Sequence, residues 1–156
     1  MSRLEGRVAV VSGGASGIGR ASAMGLAAEG ARVVVADIDS DLGLQTCSDI
    51  ENMGGEATFQ TLDVTDEEQW RACIAATQAS YGGLNILVNN AGIAVGGSIL
   101  TMSLEDWQRQ QAINLDGVFL GIKHGIPAMI DSGNGSVINI SSVAGIKGSA
   151  NLAAYN

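Results

Sequence analysis

The stretch GGASGIG, residues 13–19, sets glycine where a backbone must turn tightly and approach something closely. As a phosphate loop, Gly13 allows the turn, Gly17 lets the backbone approach a pyrophosphate, and Gly19 permits close packing of the helix that follows. Ser16 adds a hydroxyl donor, and a helix N-terminus adds free N–H groups and a partial positive charge. The G-x-x-x-G-x-G spacing differs by a residue from the usual dinucleotide fingerprint, and an ordinary tight turn would use the same glycines. Asp37 tips the balance. It lies eighteen residues beyond Gly19, close to the roughly 20-residue spacing of a ribose-binding acid. A carboxylate there accepts bonds from both ribose hydroxyls and repels a 2′-phosphate. No Lys or Arg occurs from Val33 to Trp70, and Arg20, the one cation near the loop, is expected inside the helix. The pattern points to NAD rather than NADP.

Other polar residues carry two readings each. Asp63 either closes the turn before Thr65 or contacts an adenine. Asn89, Asn90 and Gly92 either form a turn, since Asn and Gly tolerate left-handed backbone, or line the cofactor. On spacing alone Asn114 is no more than a polar residue at a helix start. His124 falls far along a helix from the chemistry and reads as surface or core. Cys47 and Cys73 have no metal-ligand spacing, no metal site is expected, and both read as reduced structural thiols of a cytoplasmic protein. Tyr155 is either packing or chemistry.

The elements that must position these residues alternate regularly. RVAVVS (7–12), ARVVVAD (31–37), EATFQTLD (56–63), NILVNN (85–90) and SVINIS (136–141) read as strands. Several are apolar almost without alternation, as expected of a parallel sheet covered on both faces. Between them lie amphipathic stretches with helix punctuation. Gly30 follows the first and Gly54-Gly55 the second; Thr65 with Glu68 forms a capping-box pattern for the third, which ends at Gly82-Gly83. Ser103 caps a fourth helix, and a long one runs from about Asn114 toward Asp131, with Pro127 able to bend it. The alternation predicts an α/β fold: one Rossmann-type, doubly wound parallel sheet over residues 1–156 as a single dinucleotide-binding domain. In such sheets ligands bind beyond the carboxyl ends of the strands. The glycine loop, Asp37, Asp63, the NNAG stretch and the serines at 141–142 all follow strand ends.

Composition removes whole classes of function. The net charge of -8 argues against nucleic acid as a partner, because phosphates demand clustered cations. Ten of the sixteen acids lie between Asp37 and Glu68, a solvated acidic face in the plainest reading. No apolar run approaches a membrane span, and the start lacks a signal peptide's apolar stretch, so no membrane partner is expected.

Together SGGASGIG, Asp37, LDVTD, NNAG, Asn114, INISS and Tyr155 resemble the short-chain dehydrogenase/reductase family, over the whole chain and in the family's order. The resemblance implies that Gly13, Ser16, Gly17, Ile18 and Gly19 hold the pyrophosphate side. It gives Asp37 the adenosine ribose, Asp63 and Val64 the adenine, and Asn90, Ala91 and Gly92 the inner ribose and nicotinamide side. Asn114, Ser142 and Tyr155 match three members of the catalytic tetrad; Ser142 is preferred to Ser141 because it sits thirteen residues before the tyrosine. Ser12 stands where threonine is common. In this scheme Tyr155 transfers the proton of a secondary alcohol or ketone, Ser142 hydrogen-bonds its oxygen, and Asn114 supports a water-linked proton path. A tyrosine titrates near about 10, so a neighbouring cation must favour its phenolate. In the family that cation is a lysine four residues after the tyrosine, and neither Lys123 nor Lys147 matches it. The expectation is therefore an amino-terminal part lacking the family's C-terminal strands and helices, weak in cofactor binding, inactive alone and prone to aggregate.

The resemblance also implies a homotetramer or homodimer in which the helix at 114–131 meets its counterpart. Residues 94–98 and 143–152 are expected to border the substrate pocket, and their small apolar character suits an alicyclic or steroid-like alcohol. Two alternatives remain: a catalytically silent NAD-binding sensor or scaffold, and, more remotely, a flavodoxin-like regulator.

Overall fold

Side chains alternate faces along a strand, so an unbroken apolar strand must be covered twice. In the computed structural model, which describes residues 2–156, strand β1 (Val8–Ser12) is buried throughout. Val8 and Val10 enter one core, and Ala9 and Val11 enter another on the opposite face. The chain then runs α1 (Gly17–Ala28), β2 (Arg32–Asp37), α2 (Ser40–Asn52), β3 (Glu56–Thr61), α3 (Glu67–Tyr81) and β4 (Ile86–Asn89). It continues with α4 (Leu104–Gln111), a π-helical segment (Ala112–Asp116), α5 (Gly117–Asp131), β5 (Ser136–Asn139) and a 3-10 turn (Val143–Gly145).

All strand pairs are parallel, in the order β3-β2-β1-β4-β5. Val137, Leu87, Val10, Val34 and Thr58 share one register level across the sheet. The two faces differ in kind. On the α3–α5 side Trp70, Leu84, Leu87, Leu120 and Met129 fill a deep core, with Trp70 fully buried and its indole N–H donating to the Val64 carbonyl at 3.0 Å. The α1–α2 side is packed by Ala23, Ala27, Val33, Val35 and Ile50, small groups that let α1 lie close to the sheet. The strand order reverses between β1 and β4, and the loops after both strands open at that point.

Three expectations are corrected. The N-cap of α3 is Asp66, not Thr65: the Asp66 carboxylate accepts from the N–H groups of Glu68 at 2.8 Å and Gln69 at 3.1 Å. These backbone bonds, Gln69 first, hold its carboxyl below the usual carboxylate range. A carboxylate is the better acceptor at a positive helix end, and Thr65 is occupied in a turn with Asp63. Asp66→Ala should therefore lower stability by about 1 kcal/mol, or about 2–4 °C in a thermal melt, and Thr65→Ala by less than half of that. An equal loss for Thr65→Ala would return the cap to Thr65.

Second, the fourth helix and the long helix are one continuous run from Leu104 to Asp131, joined by the π segment, so Asn114 sits mid-helix rather than at a start. Third, β5 ends at Asn139 and β3 at Thr61, each two residues early, because the residues beyond turn into the cleft. Ser103 does cap α4, accepting from the Asp106 N–H at 3.0 Å. β5 forms one edge of the sheet, with Ile138 38% exposed and Ile140, just beyond the strand, 39% exposed. Among the described residues no helix is long and apolar enough to cross a membrane.

Candidate active site

The loops that leave the carboxyl ends of the strands enclose an open cleft of about 870 Å³. The glycine loop forms its floor. Gly13 (φ 65°) and Gly17 (φ 52°) adopt left-handed backbone, where a side chain is strained. Gly19 lies beneath the cleft wall, and a Cβ there would strike the Gly13 carbonyl oxygen. The first helical bond of α1 runs from Arg20 N–H to the Ser16 carbonyl, which leaves the N–H groups of residues 17–19 outside the helical ladder. Ser16 caps α1 by position but makes no side-chain cap bond, so its hydroxyl is unspent. A glycine cradle at a helix N-terminus with free N–H groups fits a pyrophosphate.

Ser12 ties this floor to the opposite wall. Its buried hydroxyl donates to the Val88 carbonyl at 3.3 Å and accepts from the N–H groups of Asn90 at 3.0 Å and Ala91 at 3.2 Å. The Asn90 amide returns the tie, donating to the carbonyls of Ser12 at 3.0 Å and Gly13 at 3.2 Å. From sequence Ser12 shows only as a serine where threonine is common, with the hydroxyl kept; its latch across the β1–β4 switch becomes visible only when the two strand ends meet. Asn89 is not a lining residue. It lies in β4 and donates to the Asn139 side chain at 2.9 Å.

Asp37 lines the cleft and also braces the glycine loop. Its carboxylate accepts from the Ala15 N–H at 3.0 Å and from the Asp39 N–H at 3.1 Å. Arg20, the nearest cation in sequence, faces away into a 2.7 Å ion pair with Asp49 on α2 and holds that carboxyl below its usual range. Asp63 and Val64 reach the cleft as well. The Asp63 carboxylate accepts from the Thr65 N–H at 2.9 Å and hydroxyl at 2.7 Å, which is the turn arrangement.

The remaining wall comes from four distant segments. Asn114, in the π segment, holds the backbone of Ile93 from both sides: its oxygen accepts from the Ile93 N–H at 2.9 Å and its amide donates to the Ile93 carbonyl at 2.8 Å. The extra residue of a π turn re-aims one side chain out of an otherwise regular helix. Ser142 opens the 3-10 turn, its oxygen accepting from the Ala144 N–H at 3.2 Å, which leaves the hydroxyl proton free to donate into the cleft. Half-buried Tyr155 lines the same cleft, as do Ser141, Ile18, Ala91 and Gly92. Of the site residues expected from sequence, Gly19 and Asn89 stand behind the surface.

Other chemistry finds no support. Burial pushes the Cys47 thiol up to about 11 and the Cys73 thiol up to about 12, far from a reactive thiolate. His124 and Lys123 both bind Glu67, at 3.0 and 2.7 Å, away from the cleft. Among the described residues no group of His, Cys, Asp and Glu could hold a metal ion.

Comparison with known proteins shows the family and agrees with the fold. A family model described as short chain dehydrogenase matches residues 7–156. The chain is 45% identical over 154 residues to a 2,5-dichloro-2,5-cyclohexadiene-1,4-diol dehydrogenase of Sphingobium indicum, covering 99% of this chain and 62% of that protein. It is 40% identical over 157 residues to an NADP-dependent (R)-specific alcohol dehydrogenase of Lentilactobacillus kefiri, covering 99% of this chain and 61% of that one. A crystal structure of a short-chain type dehydrogenase/reductase from Mycobacterium marinum superimposes with a TM-score of 0.93 at 35% identity, over 97% of this chain and 63% of the other. The chain thus spans about three fifths of the length of the curated relatives it matches.

Proposed function

The chain belongs to the short-chain dehydrogenase family, and on that premise we propose that it serves an NAD(H)-dependent oxidoreductase acting on a secondary alcohol or ketone. The observation that carries the proposal is the single cleft lined by the glycine loop, Asp37, Asn114, Ser142 and Tyr155. When bound, the nicotinamide ring accepts or returns a hydride. The chain's own residues do the rest. Gly17, Ile18 and Gly19 direct backbone N–H groups toward the pyrophosphate, Asp37 accepts from the adenosine ribose, and Asp63 with Val64 borders the adenine. Asn90, Ala91 and Gly92 form the wall along the inner ribose. Ser142 donates to the substrate oxygen, stabilising charge as it develops. Tyr155 takes the alcohol proton in oxidation and returns it in reduction. Asn114, pinned on Ile93, keeps one N–H and one lone pair for a water-linked proton path.

The preference for NAD rests on Asp37 and on the engagement of Arg20 with Asp49. The relative named as NADP-dependent makes this the point to test. NADH should bind at least about tenfold more tightly than NADPH, equivalent to about 1.4 kcal/mol, when each is titrated by its fluorescence. Asp37→Ser combined with Ile38→Arg should reverse the order, since Ile38 is 72% exposed at the cleft edge. Tighter NADPH binding by the parent chain would overturn the assignment.

Ile93, with the small residues Ala94 and Gly145, gives an apolar wall that suits an alicyclic alcohol, in keeping with the cyclohexadienediol named for one relative. A homo-oligomer, dimer or tetramer, belongs to the same proposal. Trp107, Leu115, Phe119 and Ile130 are exposed along the 104–131 helix and would pair with a second copy, which light scattering reads directly. Free, buried Cys47 and Cys73 fit a cytoplasmic setting.

A further inference from the structure

Gln110 is the one fully buried glutamine of α4, and nothing in the helix requires it. Its carboxamide oxygen accepts from the Val95 N–H at 2.6 Å, while its amide nitrogen is buried without a partner. An apolar side chain would fill the position without stranding a donor, so the glutamine is retained at a cost in desolvation. What its oxygen does is specific. Residues 93–97 belong to no helix or strand apart from one isolated bridge at Gly97, and of their backbone N–H groups those of Ile93, Val95 and Gly97 find partners while those of Ala94 and Gly96 have none among the described residues. Asn114, one turn further along, fixes Ile93; Gln110 fixes Val95, two residues on. Gly97 then pairs with the final segment, donating to the Asn151 carbonyl at 2.8 Å, and Gln111 donates to the Ala154 carbonyl at 3.3 Å, next to Tyr155.

We propose that Gln110 is a positioning residue for the substrate side of the cleft: its buried carboxamide oxygen anchors Val95 and so holds the 93–97 loop in the wall that Ile93 and Ala94 share with Ser142 and Tyr155. The inference rests on the oxidoreductase reading for its kinetic consequence, but not for its structural one. Gln110 does not touch the cleft; it acts through Val95.

Amide hydrogen exchange on the 156-residue chain, resolved by NMR, tests the anchor without turnover. In the parent chain the Val95 amide should exchange at least about tenfold more slowly than those of Ala94 and Gly96, which have no partner among the described residues. Gln110→Met, which keeps the volume and removes the acceptor, should abolish that difference while leaving protection in β1 and β4 intact. Gln110→Glu, which keeps an acceptor oxygen, should retain it. Where a secondary alcohol is turned over, Gln110→Met should raise its KM about tenfold with NADH affinity within about twofold of the parent. Equal exchange at 94, 95 and 96 in the parent overturns the anchor, even if no variant folds. A slow Val95 amide with KM unchanged in the variant overturns the positioning role. A slow Val95 amide, together with no NADH binding by a protein of the family's full length that carries this chain, leaves the anchor standing and overturns the oxidoreductase reading instead.

Discussion

In a protein of the family's full length that carries this chain, Tyr155→Phe is expected to lower turnover of a secondary alcohol by about 10²–10⁴-fold, the range that a positioned general acid or base contributes. NADH affinity should stay within about twofold. The substitution removes only the hydroxyl. The ring still packs half-buried against the cleft wall, and the backbone bond from the Tyr155 N–H to the Leu152 carbonyl, at 2.9 Å, is untouched. Binding and chemistry should therefore separate cleanly when steady-state rates are set beside a fluorescence titration. A variant that retains rates within tenfold of the parent moves proton transfer to another group. Absence of turnover by the 156-residue chain alone is already expected of an amino-terminal part, so the comparison belongs to a protein of the family's full length: NADH binding there without alcohol turnover favours the silent nucleotide-binding alternative, in which Asn114, Ser142 and Tyr155 need not meet.

Gly19→Ala is the second large effect, and it acts at the other end of the cleft. The added methyl would overlap the Gly13 carbonyl oxygen and crowd the Asn90 amide, and neither can give way. The Gly13 carbonyl accepts from Asn90, and Asn90 is held in turn by Ser12. Overpacking of this kind costs about 1–3 kcal/mol, so NADH should bind about 5–150-fold more weakly if the loop yields to make room. Gly25→Ala, in the same helix, is the control. Nothing lies within 4 Å of a Cβ there, and the gain in helix propensity should leave the melting temperature equal or higher. Equal NADH affinity in Gly19→Ala and Gly25→Ala would refute the packing argument.

Much of the fold is legible in the sequence because its signals are local. Apolar runs such as RVAVVS mark strands buried on both faces, and glycines at 30, 54 and 82, all with positive φ, end the helices before and after them. The glycine loop and Asp37 are legible for the same reason: a turn conformation and a strand-end acid are properties of short segments. The misreadings share a cause as well. Thr65 and Asp66 are both acceptable caps by type, and the choice fell to Asp66 because Asp63 engages Thr65. The join of two helices through a π segment leaves no periodicity break that a short window can separate from an ordinary boundary. Gln110, in a polar run WQRQQ, carries no sequence signal for burial; only the placement of the 93–97 loop gives its side chain a partner, at Val95.

The sequence by itself determined the alternation of strands and helices, and with right-handed crossovers this sends every strand-end loop to one edge. It also determined which residue types stand at that edge, from Gly13 to Tyr155. Only the tertiary structure decided who meets whom. The order β3-β2-β1-β4-β5 puts the ends of β1 and β4 side by side, so that Ser12 reaches Asn90 across 78 residues of chain. The same packing brings Asn114 to Ile93 and Gln110 to Val95. Those contacts depend on burial and on backbone groups with no partner of their own, and both come into being only when the sheet has closed and water has left.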